Sequence, residues 1–428
     1  MPIPPWSCSS ISALHPAWPQ PQVMIAGSRP SGESQYGLHT ASARETLQRQ
    51  ARLSHRFESS FMLHPFPKTT LPTVRALRAR AVNVPLPKPL LTAGGSVTSA
   101  PLVLIDLETS SGVTGRAYVF CYTALALRAT RALLDDLAPL VAGMPLAPRD
   151  IAVQLHARFR LLGPQGLTGM AMAGIDMAAW DALAVAHDVP LCVLLGAEPR
   201  ALPAYDSLGM MSAQDGVAEG LRSAAAGFTA VKFKIGWPDA ETDVRFVDAV
   251  RTALGPACDI MMDYNQCLDR GEAIRRGKLL ERFGLRWIEE PCRADDDASH
   301  AMVARALDTP VQIGENWWGP NDAARSLAAD ACDEVMLDVM KIGGVTGWLD
   351  AAPLAARTGR RVSSHLFPEF SAHLLAATES ARYLEWLDLA SPVLEDAVAP
   401  SDGTLRIADR PGAGLRWNED AVLRFAVS

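Results

Sequence analysis

The sequence is first defined by what it lacks. No stretch approaches the ~18 consecutive apolar residues of a membrane-spanning helix, and the first residues carry no basic segment followed by an apolar run. Neither a membrane span nor secretion is expected, and a cytoplasmic protein is. The seven cysteines (Cys8, Cys121, Cys192, Cys258, Cys267, Cys292, Cys332) are odd in number and scattered. They show none of the paired spacings of zinc sites or disulfide frameworks and read as reduced thiols, mostly in the core. A basic stripe is missing too. The formal charge is −7, with 20% charged residues of both signs, which leaves nothing to hold nucleic acid or an anionic membrane surface. A small-molecule partner remains.

What is present is length and pattern. A chain of 428 residues exceeds what one hydrophobic core usually supports, so two domains are expected. Residues 1–70 stand apart: "MPIPPWSCSS" and "HPAWPQPQ" are Pro-rich and "SRPSGESQYG" is polar without period. This composition predicts a disordered extension without assigned function. From residue 74, "VRALRARAVNVPL" and "APLVLIDLETSSGVTGRAYVF" alternate like antiparallel strands, with a turn at "SSGVTG". "LRATRALLDDLAPLV" and "GMAMAGIDMAAWDALAVAHD" follow with helical spacing. Residues 71–200 thus read as an α+β domain.

After residue 200 the pattern becomes short β-rich runs between helical segments: "LPAYDS", "TAVKFKIG", "DIMMDYN", "LRWIEEP", "VQIGEN", "EVMLDVM", "RRVSSH" and "YLEWLDL". Each of the eight ends on a polar residue: Ser207, Lys232 with Lys234, Asp263, Glu289, Glu315, Asp338, His365 and Glu385. From Lys234 onward the steps are 29, 26, 26, 23, 27 and 20 residues, the length of a strand, loop and helix. Eight such units close into a (β/α) barrel of TIM type over residues 201–392, whose functional groups gather at the C-terminal mouth.

Asp263, Glu289 and Glu315 end three successive strands, so their carboxylates converge. Three like charges sharing one site call for a cation, and hard oxygen donors without cysteine or histidine point to Mg²⁺, with Mn²⁺ as the alternative. Single carboxylates at such ends often cap the next helix; three in register are harder to explain that way. Asn265, two residues past Asp263, can offer its amide to a ligand oxygen.

Lys232 and Lys234 are two apart on one strand and face the mouth together. Repulsion and desolvation are expected to lower at least one of their pKa values toward that of a general base. Asp338 and His365 end the sixth and seventh strands, an arrangement that fixes an imidazole tautomer and raises its basicity. Lys234 and His365 then flank a central ligand from opposite sides, as inversion by proton transfer requires. The enediolate formed by α-proton removal needs electrostatic stabilisation, from the metal, from Lys232, and from Glu385 as a protonated donor with a raised pKa.

These residues, with "RAVNVPL", "GIDMAAWDAL", "VKFKIG", "DYNQ", "WIEEP", "GENW", "MKIGGVTGW" and "SSHLFPEFSAHLLAAT", give a chain that from about residue 74 closely resembles the enolase superfamily, mandelate racemase subgroup. The resemblance implies an enolase-like modified barrel under an α+β capping domain, with residues 393–428 returning to the cap. It implies Mg²⁺ on Asp263, Glu289 and Glu315, Lys234 as base for one enantiomer, and His365 supported by Asp338 as base for the other. It also implies that Lys232, Ser207, Asn265 and Glu385 hold the substrate carboxylate and hydroxyl, that Lys341 is a supporting charge near the dyad, and that the chain forms a homo-oligomer, an octamer.

The lid in that family corresponds here to "KPLLTAGGSVTSAP". Leu90 and Val97 from it, with Tyr122, Leu366 and Leu387, are expected to form an apolar wall suited to an aryl group. Leu208 stands where mandelate-active relatives carry histidine, Leu90 replaces a smaller valine, and Gly94 replaces a valine, so a reshaped pocket is implied. The leading expectation is a Mg²⁺-dependent racemase of 2-hydroxy carboxylates, mandelate or a substituted aryl analogue. The alternatives are an acid-sugar dehydratase on the same scaffold and a catalytically silent metal-binding scaffold.

Overall fold

The computed structural model describes residues 71–427; the extension expected over residues 1–70 lies outside them. Strands β1 (Val74–Thr92) and β2 (Gly95–Thr109) form a long antiparallel hairpin, and β3 (Thr114–Phe120) adds a third strand beside β2. Alternation is expected along β2, but Ala100–Leu104 are buried without a break. A strand covered on both faces reads as a continuous apolar run. The covering helix Leu167–Ala186 is long and apolar enough to cross a membrane by length and composition, yet 83% of its apolar window is buried in the protein. It is a core helix.

The second sheet holds β4 (Ala201–Leu208), β5 (Ala230–Lys234), β6 (Asp259–Asp263), β7 (Trp287–Glu289), β8 (Val311–Ile313), β9 (Glu334–Asp338), β10 (Val362–His365) and β11 (Leu384–Trp386). They pair in parallel in chain order, and β11 returns to β4. Between β10 and β11 the ring is joined by main-chain bonds, with the Arg382 N–H donating to the Val362 carbonyl at 2.7 Å and the Ser364 N–H to the Tyr383 carbonyl at 3.0 Å. A last strand, β12 (Thr404–Arg406), lies antiparallel on β4. The sequence pattern did not announce it.

Inside the ring, Tyr205, Ala230, Met261, Trp287 and Met336 form a small apolar cluster of their own. Each lies two residues before Ser207, Lys232, Asp263, Glu289 or Asp338, so the period-2 strand stacks one polar side chain above each apolar one. The apolar layer is the floor and the polar layer the mouth. On β8 the inward position is Gln312, whose amide donates to Glu289 at 3.2 Å. Glu315 breaks the alternation because Gly314 has φ +129°, and any Cβ there would stand 2.5 Å from the Met336 carbonyl. Glycine is what lets the chain turn Glu315 into the mouth.

Two buried aspartates of the helix Leu167–Ala186 tie the cap to the barrel and to the C-terminal segment. Asp176 accepts the Thr346 N–H at 2.9 Å and its hydroxyl at 2.5 Å, at the start of the barrel helix Gly344–Arg357. Asp181 accepts the N–H groups of Arg116 and Ala413 at 2.7 and 2.6 Å. The chain end continues back to the cap, where Trp417 donates to Asp106 at 2.8 Å and the Val427 N–H to the Ala81 carbonyl at 2.9 Å.

Candidate active site

Asp263, Glu289 and Glu315 come together as the strand series predicts: all three are buried, and one oxygen from each lies within 4.8 Å of the others. Six buried carboxylates crowd this mouth, adding Glu290, Asp338 and Glu385, against three buried lysines, Lys232, Lys234 and Lys341, and His365. The negative excess is carried by hard oxygen donors. Burial pushes Glu289 up to about 8 in spite of its contact with Lys232, the behaviour of a carboxylate whose neighbours do not supply enough positive charge. A divalent cation fits both the donor set and the charge deficit.

Lys232 donates to Glu289 at 2.5 Å and pairs with Glu385 at 2.8 Å. Lys234 donates to Asp263 at 2.5 Å. These contacts reverse the expectation of a lowered lysine pKa. Burial pulls both down, but Glu289 and Glu385 around Lys232, and Asp263 beside Lys234, outweigh burial and the Lys–Lys repulsion, so both stand above the usual lysine value. Glu385 likewise departs from the protonated donor expected of it. Burial lifts its pKa, yet Lys232, His365 and the Leu366 N–H at 3.0 Å bring it well below the usual carboxylate range. Spacing along a strand shows which charges share a face but not which opposite charge stands nearest.

His365 Nδ1 is 2.7 Å from Asp338 Oδ2, and Nε2 is 3.4 Å from Glu315 Oε2 and 3.9 Å from Glu385 Oε2. Burial lowers its pKa, but Glu315, Glu385 and Asp338 raise it above the histidine norm. Ser207 is buried and in register with Lys232. Asn265 is not a strand residue: φ is +44°, and its N–H and amide both go to Asp263, at 2.7 and 3.0 Å. Its Oδ1 is buried without a partner.

The segment matched to the lid is the tip of the β1–β2 hairpin. Leu90 pairs with Val97, and the hairpin is fastened to the end of β4 by the Met210 N–H donating to the Leu91 carbonyl at 2.8 Å. Gly209 leaves room for this: a Cβ there would come within 3.1 Å of Leu90 and of the Leu91 main chain. Leu208 ends β4 and Leu387 follows β11, the neighbouring strand, while buried Leu366 follows β10. Tyr122 carries a contact the sequence did not announce: its ring lies 4.4 Å under the Lys341 ammonium, past β9. Gly94 sits at the hairpin turn, where its N–H donates to the Thr92 hydroxyl at 3.1 Å.

Three groups escaped the sequence reading. Glu290 follows Glu289 and so points off the inward row; it is buried and accepts from Asn316 at 2.7 Å. Gln312 carried no signal, being a lone amide in "VQIGEN". Asn316 could have been noticed as the polar neighbour of Glu315. A cleft of about 510 Å³ lined by Gln165, Gln266, Trp318 and Arg325 opens beside the mouth and reaches the site only at Asn316.

Fold and site together define a capped barrel enzyme with a carboxylate cluster, an ion-paired lysine pair and an Asp–His dyad around one mouth. Residues 75–196 match the N-terminal domain of the mandelate racemase / muconate lactonizing enzyme family, and residues 216–421 match the enolase C-terminal domain-like family. The chain belongs to the enolase superfamily, in its mandelate racemase subgroup. A solved enolase from Bradyrhizobium, complexed with magnesium and mandelic acid, is 44% identical, covering 84% of this chain and all of that one with a TM-score of 0.81. The L-talarate/galactarate dehydratase of Salmonella typhimurium is 35% identical over 61% of this chain and 66% of its own length. The 3,6-anhydro-alpha-L-galactonate cycloisomerase of Streptomyces coelicolor is 28% identical over 83% of this chain and 99% of its own.

Proposed function

We propose that this Mg²⁺-dependent enzyme of the enolase superfamily racemises 2-hydroxy carboxylates, mandelate or a substituted aryl analogue, by moving the α-proton between two bases. One observation carries this reading. Lys234 on β5 and His365 on β10 reach the carboxylate cluster from its two ends, Lys234 on Asp263 and His365 against Glu315. Two proton carriers on opposite sides of one carbon are what inversion needs. The lysine and the imidazole exchange roles with direction: one takes the proton and the other returns one to the far face. Lys232, held between Glu289 and Glu385, presents a fixed positive charge where negative charge develops. Asp263, Glu289 and Glu315 would hold Mg²⁺, which would supply further positive charge to the substrate carboxylate, and Lys234, paired with Asp263 at 2.5 Å, would act as base in its neutral form.

Similarity to a protein crystallised with magnesium and mandelic acid favours an aryl substrate, and an apolar wall of Leu90, Val97, Tyr122, Leu366 and Leu387 would leave a polyhydroxy chain poorly hydrogen-bonded. The acid-sugar dehydratase alternative draws its support from the talarate/galactarate relative. The buried, unbridged thiols Cys121, Cys192, Cys258, Cys292 and Cys332 suit a cytoplasmic site, and the homo-oligomer remains part of the proposal, to be sized by light scattering. The deciding experiment is polarimetry with R-mandelate and Mg²⁺ in D₂O, followed by NMR at the α-carbon. Loss of rotation with deuterium incorporation is expected. Neither change, in a protein shown to bind Mg²⁺, refutes mandelate as substrate and turns the test to acid sugars.

A further inference from the structure

Beside the metal cluster runs a second chain of polar contacts that the proton-transfer reading does not use. Asn316 has both amide donors and its carbonyl oxygen engaged on charged groups. Its Nδ2 donates to Glu290 Oε2 at 2.7 Å and to Glu315 Oε1 at 3.2 Å, while its Oδ1 accepts from the Lys341 ammonium. The amide orientation is fixed by these partners: nitrogen toward two carboxylates, oxygen toward a cation. A neutral group thus separates two buried acids that would otherwise repel, and it holds one oxygen of Glu315 in place.

Lys341 in turn is fixed from three sides. Its main-chain N–H donates to Asp338 Oδ1 at 2.9 Å, which ties it to the dyad. Its ammonium reaches Asn316, and the ring of Tyr122 lies 4.4 Å beneath it, a cation–π contact. Tyr122 belongs to the capping domain, just past β3, with φ +58° and its ring 4.6 Å from Phe120. A positive φ in an aromatic residue is uncommon and costs free energy. Here it delivers the ring to Lys341.

We propose that Asn316 and Lys341 are positioning residues that set the Glu315 carboxylate for the metal, with Tyr122 bracing them from the cap, so that cap docking and metal affinity are coupled. This inference rests on the assignment of Asp263, Glu289 and Glu315 as the metal site. The geometry opposes what charge alone would do. Removing the Lys341 cation from the neighbourhood of a divalent ion should tighten binding by simple Coulomb attraction, whereas loss of a positioning contact should weaken it, by roughly 10-fold or more for a partner of a metal ligand.

The experiment measures Mg²⁺ affinity by titration calorimetry and the Mn²⁺ spectrum by EPR, on the full chain, for wild type, Asn316→Ala, Lys341→Met, Tyr122→Leu and Tyr122→Phe. Metal-free melting temperatures show that each variant folds. Weakening of roughly 10-fold is expected in Asn316→Ala and Lys341→Met, with a broadened Mn²⁺ spectrum. A smaller loss is expected in Tyr122→Leu and wild-type affinity in Tyr122→Phe, which keeps the ring. Wild-type affinity in Asn316→Ala, or tighter binding in Lys341→Met, overturns the inference while leaving the metal site standing. A wild-type protein that binds no Mg²⁺ overturns the metal assignment itself.

Discussion

The Asp338–His365 pair allows a prediction whose direction follows from two hydrogen bonds. Asp338 Oδ1 accepts the main-chain N–H of Lys341 at 2.9 Å, and Oδ2 faces His365 Nδ1 at 2.7 Å. In Asp338→Asn the oxygen must stay with Lys341, because an NH₂ facing that N–H would set two buried donors against each other at a cost of about 1–3 kcal/mol. The NH₂ then faces His365, which must offer it a bare Nδ1 and carry its proton on Nε2, the nitrogen turned to the carboxylate cluster. A neutral imidazole in that tautomer cannot take a proton from substrate. In serine-protease triads the same tautomer change costs about 10⁴ in rate, equivalent to about 5 kcal/mol of transition-state stabilisation. The assay is α-proton exchange into D₂O, followed by NMR on each enantiomer of mandelate separately. Racemisation and His365-dependent exchange of one enantiomer should fall by about 10⁴, while exchange of the other through Lys234 persists. His365→Asn should give the same asymmetry. Equal loss in both directions, or none in either, refutes the two-base assignment.

Two further outcomes concern stability. Glu369 is buried, accepts from the Tyr118 hydroxyl at 2.7 Å, and is pushed by burial up to about 7. The folded state therefore holds a proton that the unfolded state releases near pH 4.3, so this group's stabilisation is present below that pH and is lost as pH rises through about 7. Glu369→Gln keeps an acceptor for Tyr118 without a buried charge and should raise the melting temperature at pH 8, by the equivalent of about 4 kcal/mol, but not at pH 4; a pH-independent difference rejects this. Gly344→Ala places a Cβ 2.3 Å from Asp176 Oδ2 at a φ of +79°. It should cost about 3 kcal/mol from backbone strain and the loosened Asp176–Thr346 contact, and an unchanged melting temperature would show that this cap–barrel tie carries no load.

Much of the barrel was legible because period-2 strands with polar ends repeat at nearly even spacing, which exposes a row such as Asp263, Glu289 and Glu315 even when each residue alone is ambiguous. The same logic hid Glu290, which alternation sends away from the row, and Gln312, which has no charge to mark it. The lid was placed by resemblance, and within it Gly94 and Gly95 signal a turn. That turn is real, but β1 and β2 pair to within a residue of it, a fact set by cross-strand contacts that no single strand displays. Proton affinities were the least legible. Lys232 and Lys234 differ from the expected direction only because Glu289, Glu385 and Asp263 stand 2.5–2.8 Å away, and those distances belong to the ring rather than to any strand.

The mouth by itself does not choose between inversion and elimination. Both begin with removal of the α-proton, and on the proposed reading both would use the same carboxylate cluster and Lys232 to hold the charge that forms. They part at the next step, when a base on the far face either returns a proton to the α-carbon or gives one to a departing β-hydroxyl. Lys234 and His365 can serve either course, so the choice passes to whatever fixes the substituent. On the proposed reading that is the hairpin carrying Leu90 and Val97, which is pinned to the end of β4 at Gly209 and Met210. A substituent without a β-hydroxyl, held against aliphatic side chains that cannot hydrogen-bond a polyol, leaves the returning proton only the α-carbon to go to. On the proposed reading the paired bases Lys234 and His365 make inversion possible and the lid chooses the substituent, so substitutions at Leu90, Val97 and Leu208 should move substrate preference while leaving the exchange chemistry intact.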